Sequence, residues 1–174
     1  MNNVKVLLHT CCAPCLIGSL IYIGDNIDMA FYWYNPNIHP QSEYIKRKEA
    51  LEEYSRQIGI DVIYKDEYGL REFVTNVVND MENRCEYCYR VRLEETAKCA
   101  KENGFWAFST TLLISPFQKQ DMIRKIGEEI AQKYEIKFAY VDFRGGFRKG
   151  HNKARELGLY KQKYCGCIFS EERV

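Results

Sequence analysis

The chain has 174 residues, of which 46% are hydrophobic, and a net charge of +1. This size and composition suit a single compact domain. A charge so close to zero gives no overall attraction to a polyanion, although it does not exclude a local basic patch. Because we find neither a run of about 18 apolar residues nor an export signal, we expect a soluble, cytoplasmic protein. Its eight cysteines then favour metal ligation or electron exchange over disulfide staples.

The predicted elements alternate between strands and helices. The apolar run 4–8 predicts a buried first strand, and a helix over 15–23 follows, packed closely through Gly18 and Ser19. The further elements, in chain order, are strand 29–34, helix 41–58, strand 61–64, helix 70–79, a helix from about 85 to 103, strand 105–111, helix 118–134 and strand 137–143.

This alternation predicts an α/β fold with a parallel sheet and helices on both faces. Ligands of such sheets bind beyond the carboxyl ends of the strands. We expect one domain over 1–174, in which the C-terminal segment, about 145–174, closes over a metal site.

Three thiols occupy positions directly after the predicted first strand. Cys11, Cys12 and Cys15 lie in a tight loop in which Pro14 fixes one backbone angle, and the positive end of the following helix favours thiolates. Free cysteines are also common core residues, so packing is the alternative explanation. Since three such residues at one strand end are hard to explain by packing, we predict a metal or redox site here.

Two further cysteine pairs lie far along the chain. Cys85 and Cys88 form a C-x-x-C at the start of a helix, where both sulfurs can reach one metal ion or cluster. Cys165 and Cys167 flank a single glycine, so a disulfide between them would be strained and easily reduced, as in a redox relay. Alternatively, both thiols hold a second metal ion.

The metal is predicted from the number and distribution of these thiols. Seven clustered cysteines exceed the four that a structural zinc site needs, and the three groups meet only after folding. We therefore predict an iron–sulfur centre that serves a reduction. A zinc-stabilised, non-catalytic RNA-binding module is the main alternative. Cys99 lies among helical alanines and is predicted to be a core residue.

Three other segments are candidates for binding. The loop 34–40 either lines a site, with His39 its most promising member, or is an ordinary turn. The hydroxyls of 109–115 either bind a phosphate or ribose or cap a helix. The segment 143–164 is basic with interleaved aromatic residues, which suits an RNA backbone and stacked bases. Its members are Arg144, Arg148, Lys149, His151, Lys153, Arg155, Lys161 and Lys163, with Phe143, Phe147, Tyr160 and Tyr164.

These motifs together resemble a known family, the QueH-type epoxyqueuosine reductases of tRNA queuosine biosynthesis. The resemblance spans nearly the whole chain, in order. It rests on His9–Cys15, Tyr34–Pro40, Arg84-Cys85 with Cys88, Arg92-Leu93, Thr110–Pro116, Tyr160, Gln162, Tyr164–Cys167 and Phe169-Ser170.

The resemblance implies reduction of the epoxide of epoxyqueuosine to the alkene of queuosine at the tRNA wobble position, without cobalamin. It implies a sheet similar to the nucleotide-binding HUP group, although a cysteine loop replaces the glycine-rich phosphate loop, so ATP hydrolysis is not expected. The implied partners are tRNA and an unidentified electron donor. The implied site is a 4Fe–4S cluster on Cys11, Cys12, Cys85 and Cys88, with Cys165 and Cys167 as a redox-active pair able to form a disulfide. Side chains of adjacent residues in extended backbone diverge, so some of these thiols, or Cys15, could instead hold a second iron.

Overall fold

The structure, a computed structural model, describes residues 5–23 and 28–173. Its strands are β1 (Val6–His9), β2 (Met29–Trp33), β3 (Val62–Tyr64), β4 (Ala107–Thr110) and β5 (Lys137–Phe138). Its α-helices are α1 (Ala13–Ile23), α2 (Gln41–Ile58), α3 (Leu70–Val77), α4 (Arg84–Glu102), α5 (Gln120–Tyr134) and α6 (Phe147–Glu156). Short 3-10 helices cover Met81–Asn83, Thr111–Ile114, Phe143–Gly146 and Ile168–Arg173.

The five strands form one parallel sheet in the order β3-β2-β1-β4-β5. The predicted α/β class is confirmed. The order reverses direction on either side of β1, as in doubly wound folds, so the carboxyl end of β1 lies at the position where such sheets bind ligands. The likeness to the HUP group stays a prediction.

The helices cover the sheet in two contacting sets. Helix α1 contacts α2 and α6, and α4 contacts α5 as well as β1 and β4. Their buried apolar side chains, including Leu7, Leu16, Leu93 and Ile126, form one core cluster with the strands. No helix within 5–23 and 28–173 is both long and apolar enough to cross a bilayer.

Glycines bring α6 unusually close to α1. A Cβ added at Gly150 would lie 2.4 Å from the carbonyl oxygen of Pro14, and one at Gly18 would lie 2.6 Å from that of Gly146. The predicted close packing through Gly18 is therefore confirmed. Its partner, α6, is not among the predicted helices, because its buried face consists of the small residues Gly150 and Ala154.

The predicted strand boundaries differ from those of the structure, most clearly at the first and the last strand. The first strand was predicted from residue 4, which lies outside the described residues, and β1 begins at Val6. The last strand was predicted over 137–143, but β5 has two residues. The strand ends there because the Ala139 carbonyl oxygen accepts a hydrogen bond from the Ser109 hydroxyl, at 2.7 Å, instead of from a neighbouring strand.

Candidate active site

The carboxyl ends of three strands are tied together by one buried histidine. His9, the last residue of β1, is fully buried, and its ring nitrogens lie 3.0 Å from the Thr110 hydroxyl and 3.0 Å from the Tyr34 carbonyl oxygen. Burial, the largest effect, lowers the pKa of His9 to about 4, so the ring is neutral near pH 7. This arrangement fixes the start of the cysteine loop.

The cysteine loop brings three buried sulfurs together. The Sγ atoms of Cys11, Cys12 and Cys15 all lie within 4.8 Å of one another, and those of Cys11 and Cys12 are 3.8 Å apart. The predicted divergence of adjacent side chains is therefore wrong, because the backbone turns out of β1 before α1 begins. A metal with tetrahedral thiolate ligands at about 2.3 Å places its sulfurs about 3.8 Å apart. The three thiols therefore suit a metal centre.

Hydrogen bonds and burial give the three thiols different pKa values. Donation from Cys12, then from Cys15 and the Thr111 hydroxyl, holds the pKa of Cys11 well below its usual value. Burial holds the pKa of Cys12 high, and hydrogen bonding to Cys11 and Cys12, together with burial, does so for Cys15. The backbone N–H of Cys15, in the first turn of α1, also donates to Cys12 Sγ at 3.4 Å. Cys11 is therefore the most acidic of the three thiols.

A second group of thiols lies at the start of α4, where the C-x-x-C was predicted. Cys88 is buried in a small apolar cluster with Cys167, Phe73 and Val77. Burial is the largest cause that raises the pKa of Cys88 to about 12, and the nearby thiols of Cys165, Cys167 and Cys85 act in the same direction. The structure therefore brings the C-terminal pair beside the C-x-x-C pair.

Arg92 is a buried cation beside the thiol of Cys88. It is 2% exposed, its Nη2 donates to Cys88 Sγ at 2.9 Å, and its charge lowers the pKa of both Cys88 and His9. Its Nη1 has no hydrogen-bond partner, and no carboxylate lies within 4.0 Å of it in the described part of the chain. Since a buried unpaired charge is costly, the surroundings fit an anionic centre held by thiolates.

Helix α2 anchors the C-terminal segment over the cysteine loop through a second buried arginine. Arg47 pairs with Glu43 at 2.7 Å and donates to the carbonyl oxygens of Tyr164, at 2.8 Å, and Cys165, at 3.3 Å. In the same segment, Gln162 Nε2 lies 2.9 Å from Cys12 Sγ. Sequence reasoning missed Arg47, because a charged residue in a helix is normally placed on the solvent face.

One cavity of about 350 Å³ opens beside these thiols. Cys11, Cys15 and Cys165 line it on one side, and Phe147 and His151 contribute to its wall. The Nε2 atom of His151 is buried with no partner among the described residues, so it is available to a ligand. The volume lies within the range of small-molecule sites.

The C-terminal pair differs in environment. Cys165 is exposed and lines the cavity, whereas Cys167 is buried. Both are free thiols, so the disulfide expected from the resemblance is not present in this structure. Gly166 between them has φ 106, a conformation that favours glycine.

Other candidates have structural roles. His39 is fully buried, its backbone N–H donates to the Gly166 carbonyl at 2.8 Å, and its ring packs against Phe73, so it supports the C-terminal segment instead of lining the cavity. The Thr110 hydroxyl accepts the Leu112 N–H and caps a 3-10 helix, as one of the two alternatives predicted. Cys99 is only half-buried, at the edge of the core.

The aromatic residues of the basic segment 143–164 are buried to different extents. Phe143 is fully buried. The hydroxyls of Tyr160 and Tyr164 donate to Glu43 and to the His39 carbonyl. These contacts hold the segment in place. Phe143 is therefore excluded from stacking on a base, whereas stacking by Phe147, Tyr160 and Tyr164 stays a prediction.

Comparison with known proteins identifies relatives along almost the whole chain. The family model described as epoxyqueuosine reductase QueH matches residues 6–173. A protein of that name from Thermotoga maritima is 41% identical over 95% of this chain and 89% of its own. Others from Dehalococcoides mccartyi and Staphylococcus epidermidis are 38% and 32% identical, over 96% and 95% of this chain and 92% and 76% of their own.

Proposed function

The chain belongs to the epoxyqueuosine reductase QueH family and is an oxidoreductase that reduces epoxyqueuosine in queuosine biosynthesis; we propose that the reaction takes place on tRNA, in the cavity lined by Cys11, Cys15 and Cys165. The main support for this proposal is that thiols from two distant parts of the chain line the same cavity. Family membership favours the reductase over the zinc-stabilised, non-catalytic module.

The proposed cofactor is a 4Fe–4S cluster on Cys11, Cys12, Cys85 and Cys88. When bound, such a cluster supplies electrons one at a time and can offer a Lewis-acidic iron. The buried charge of Arg92, beside Cys88 Sγ, supports an anionic centre at this place. Gln162 Nε2, 2.9 Å from Cys12 Sγ, can donate to a ligating sulfur and stabilise it.

The proposed role of Cys165 and Cys167 is to take part in the reduction. Conversion of an epoxide to an alkene and water consumes two electrons and two protons. Oxidation of two thiols to a disulfide releases the same number of each, so the pair can serve as a two-electron reservoir that an external donor refills. Support comes from Cys165, which lines the cavity. Because Cys167 lies against Cys88, the pair also adjoins the proposed cluster.

A second iron on the cysteine loop is the alternative assignment. The 3.8 Å separation of Cys11 and Cys12, with Cys15 nearby, fits three ligands of a single tetrahedral ion. The fourth position of such an ion would be open to the cavity, which Cys11 and Cys15 line.

Iron and sulfide analysis of anaerobically reconstituted variants separates these assignments. Cys85→Ala and Cys88→Ala should lower iron and sulfide together if both residues hold the cluster, and full retention of both in the double variant would remove them from it. Cys15→Ser should lower iron alone if the loop holds a separate ion. Cys99→Ala is the matched control, because this half-buried thiol lies outside both groups.

The role of the C-terminal pair is tested by turnover. Replacement of both Cys165 and Cys167 by Ser should abolish conversion of epoxyqueuosine while most of the iron, sulfide and absorbance remains. Loss of the cluster in this variant would make the pair structural ligands. Normal turnover would place the pair outside the chemistry.

The proposed macromolecular partner is tRNA, encountered in the cytoplasm, with the modified nucleotide at the anticodon wobble position. Arg148 and Lys149 are exposed on α6, the helix that contributes Phe147 and His151 to the cavity wall. Charge reversal at both should weaken tRNA binding and flatten its salt dependence while the cluster stays intact. Unchanged affinity with an unchanged salt slope would move the binding surface elsewhere.

A further inference from the structure

An exposed phenylalanine stands at the rim of the cavity. Phe117 is 85% exposed, more than any other large hydrophobic residue in the described part of the chain, and it lines the same cavity as Cys11 and Cys15. A phenyl ring left in water has given up most of the free energy that burial would provide. Its position beside the thiols therefore suggests that a ligand covers it.

The loop that carries Phe117 is held firmly. The buried Tyr89 hydroxyl donates to Gln118 Oε1 at 2.5 Å and accepts the backbone N–H of Lys119 at 3.2 Å. The backbone N–H of Phe117 itself donates to Ser115 Oγ at 3.2 Å. Anchors on both sides of Phe117 fix its backbone, so its exposure is a property of the fold and not of a loose loop.

The surroundings of Phe117 match a nucleic acid. Its ring packs edge-to-face with Phe147 at 6.1 Å between centroids, which leaves a broad apolar surface towards solvent. Arg148 and Lys149 directly follow Phe147 in the chain, and Lys163 lines the cavity. All three are exposed, and no carboxylate lies within 4.0 Å of them among the described residues. An aromatic platform beside unpaired cations is the combination that binds single-stranded RNA.

We propose that Phe117 stacks on a tRNA base that flanks the modified nucleotide; this inference rests on the proposed function. Cys11 and Cys15 are only 7% and 4% exposed, so the reacting ring has to enter the cavity to approach them. Withdrawal of that nucleotide from the anticodon stack leaves its neighbours without a stacking partner. Phe117, at the rim and not in the depth, is placed to replace the lost stacking.

The test is the affinity of reconstituted protein for a fluorescently labelled tRNA that carries epoxyqueuosine. Phe117→Ala should weaken binding by about five- to 100-fold, and Phe117→Trp should restore it, because stacking needs a flat aromatic face. Phe117→Ala should also leave the salt slope unchanged, since no charge is removed. Trp106→Ala is the matched control: Trp106 is 48% exposed but precedes β4, at the strand end opposite to the cavity.

The outcomes separate this inference from the proposed function. Unchanged affinity in Phe117→Ala, alongside normal wild-type turnover, would overturn the stacking role alone. Weakened binding that Phe117→Trp does not restore, or an equal loss in Trp106→Ala, would also overturn it. Failure of the wild-type protein to convert the tRNA would instead overturn the proposed function, whatever the affinities.

Discussion

Replacement of Arg92 by Met should have opposite consequences in the metal-free and the metal-loaded protein. Burial keeps the pKa of Cys88 at about 12, so without metal this thiol is neutral at pH 7 and gives the guanidinium no anion. Met would remove an uncompensated buried charge together with two hydrogen bonds, to Cys88 Sγ and to the Cys88 carbonyl. These effects oppose each other, so we expect a change in the free energy of unfolding within about 2 kcal/mol.

With metal bound, Cys88 becomes an anion and the same charge becomes favourable. At the observed 2.9 Å between Nη2 and Sγ, the attraction is about 6 kcal/mol at an effective dielectric constant near 20, before desolvation is subtracted. Loss of this attraction should leave Arg92→Met with less bound iron and faster iron loss to a chelator. Arg92→Lys, which keeps the charge, should retain more iron than Arg92→Met.

The assays are urea unfolding of the metal-free protein and the rate of iron release from reconstituted protein, both without oxygen. A metal-free Arg92→Met that is destabilised by more than about 3 kcal/mol would show that Arg92 is mainly a structural residue. Unchanged iron release would refute its role as a counter-charge.

Three further predictions concern packing, acid stability and the sulfur ligands. Gly150→Ala should destabilise the protein by about 3 kcal/mol or more in urea unfolding, because its Cβ would meet the Pro14 backbone at 2.4 Å. Gly158 has φ 70, but no atom lies within 4 Å of an added Cβ, so Gly158→Ala should cost only about 1 kcal/mol. Equal losses in the two variants would contradict the packing argument. Burial lowers the pKa of His39 from 6.5 to about 4. The neutral ring therefore contributes fully to the free energy of unfolding above pH 6.5, and this contribution is lost as pH falls towards 4, by up to roughly 3 kcal/mol. The stability of His39→Gln should therefore fall less than that of wild type over this range, and parallel curves would count against it. Gln162→Leu removes an N–H donor from Cys12 and should make the midpoint potential of the reconstituted centre more negative in an EPR-monitored titration, whereas an unchanged potential would exclude the contact.

Patterns among neighbouring residues predicted helix α2, the position of the cysteine loop and the helix that begins at the C-x-x-C. Helix α2 has the predicted bounds Gln41–Ile58, because its apolar spacing is regular. The cysteine loop lies at the carboxyl end of β1, as parallel sheets require, and Cys85 and Cys88 begin a helix. Each of these features depends on residues close together in the sequence.

The remaining features depend on contacts between distant residues. Arg47 can be buried with its charge because the carbonyl oxygens of Tyr164 and Cys165, more than a hundred positions along the chain, accept hydrogen bonds from it. Helix α6 approaches α1 through its glycines, and only the small residues Gly150 and Ala154 are buried in it. The exposure of Phe117 follows from the anchors of its loop on Tyr89. Such long-range pairings leave no periodic signal in the sequence.

The most direct test of the account is nucleoside mass spectrometry of epoxyqueuosine-containing tRNA after incubation with anaerobically reconstituted protein and a chemical reductant. Iron-loaded wild-type protein should remove one oxygen atom from the modified nucleoside. Protein stripped of iron, and the double Ser variant at Cys165 and Cys167, should remove none. Conversion by iron-free protein, or no conversion by fully loaded wild type, would contradict the account.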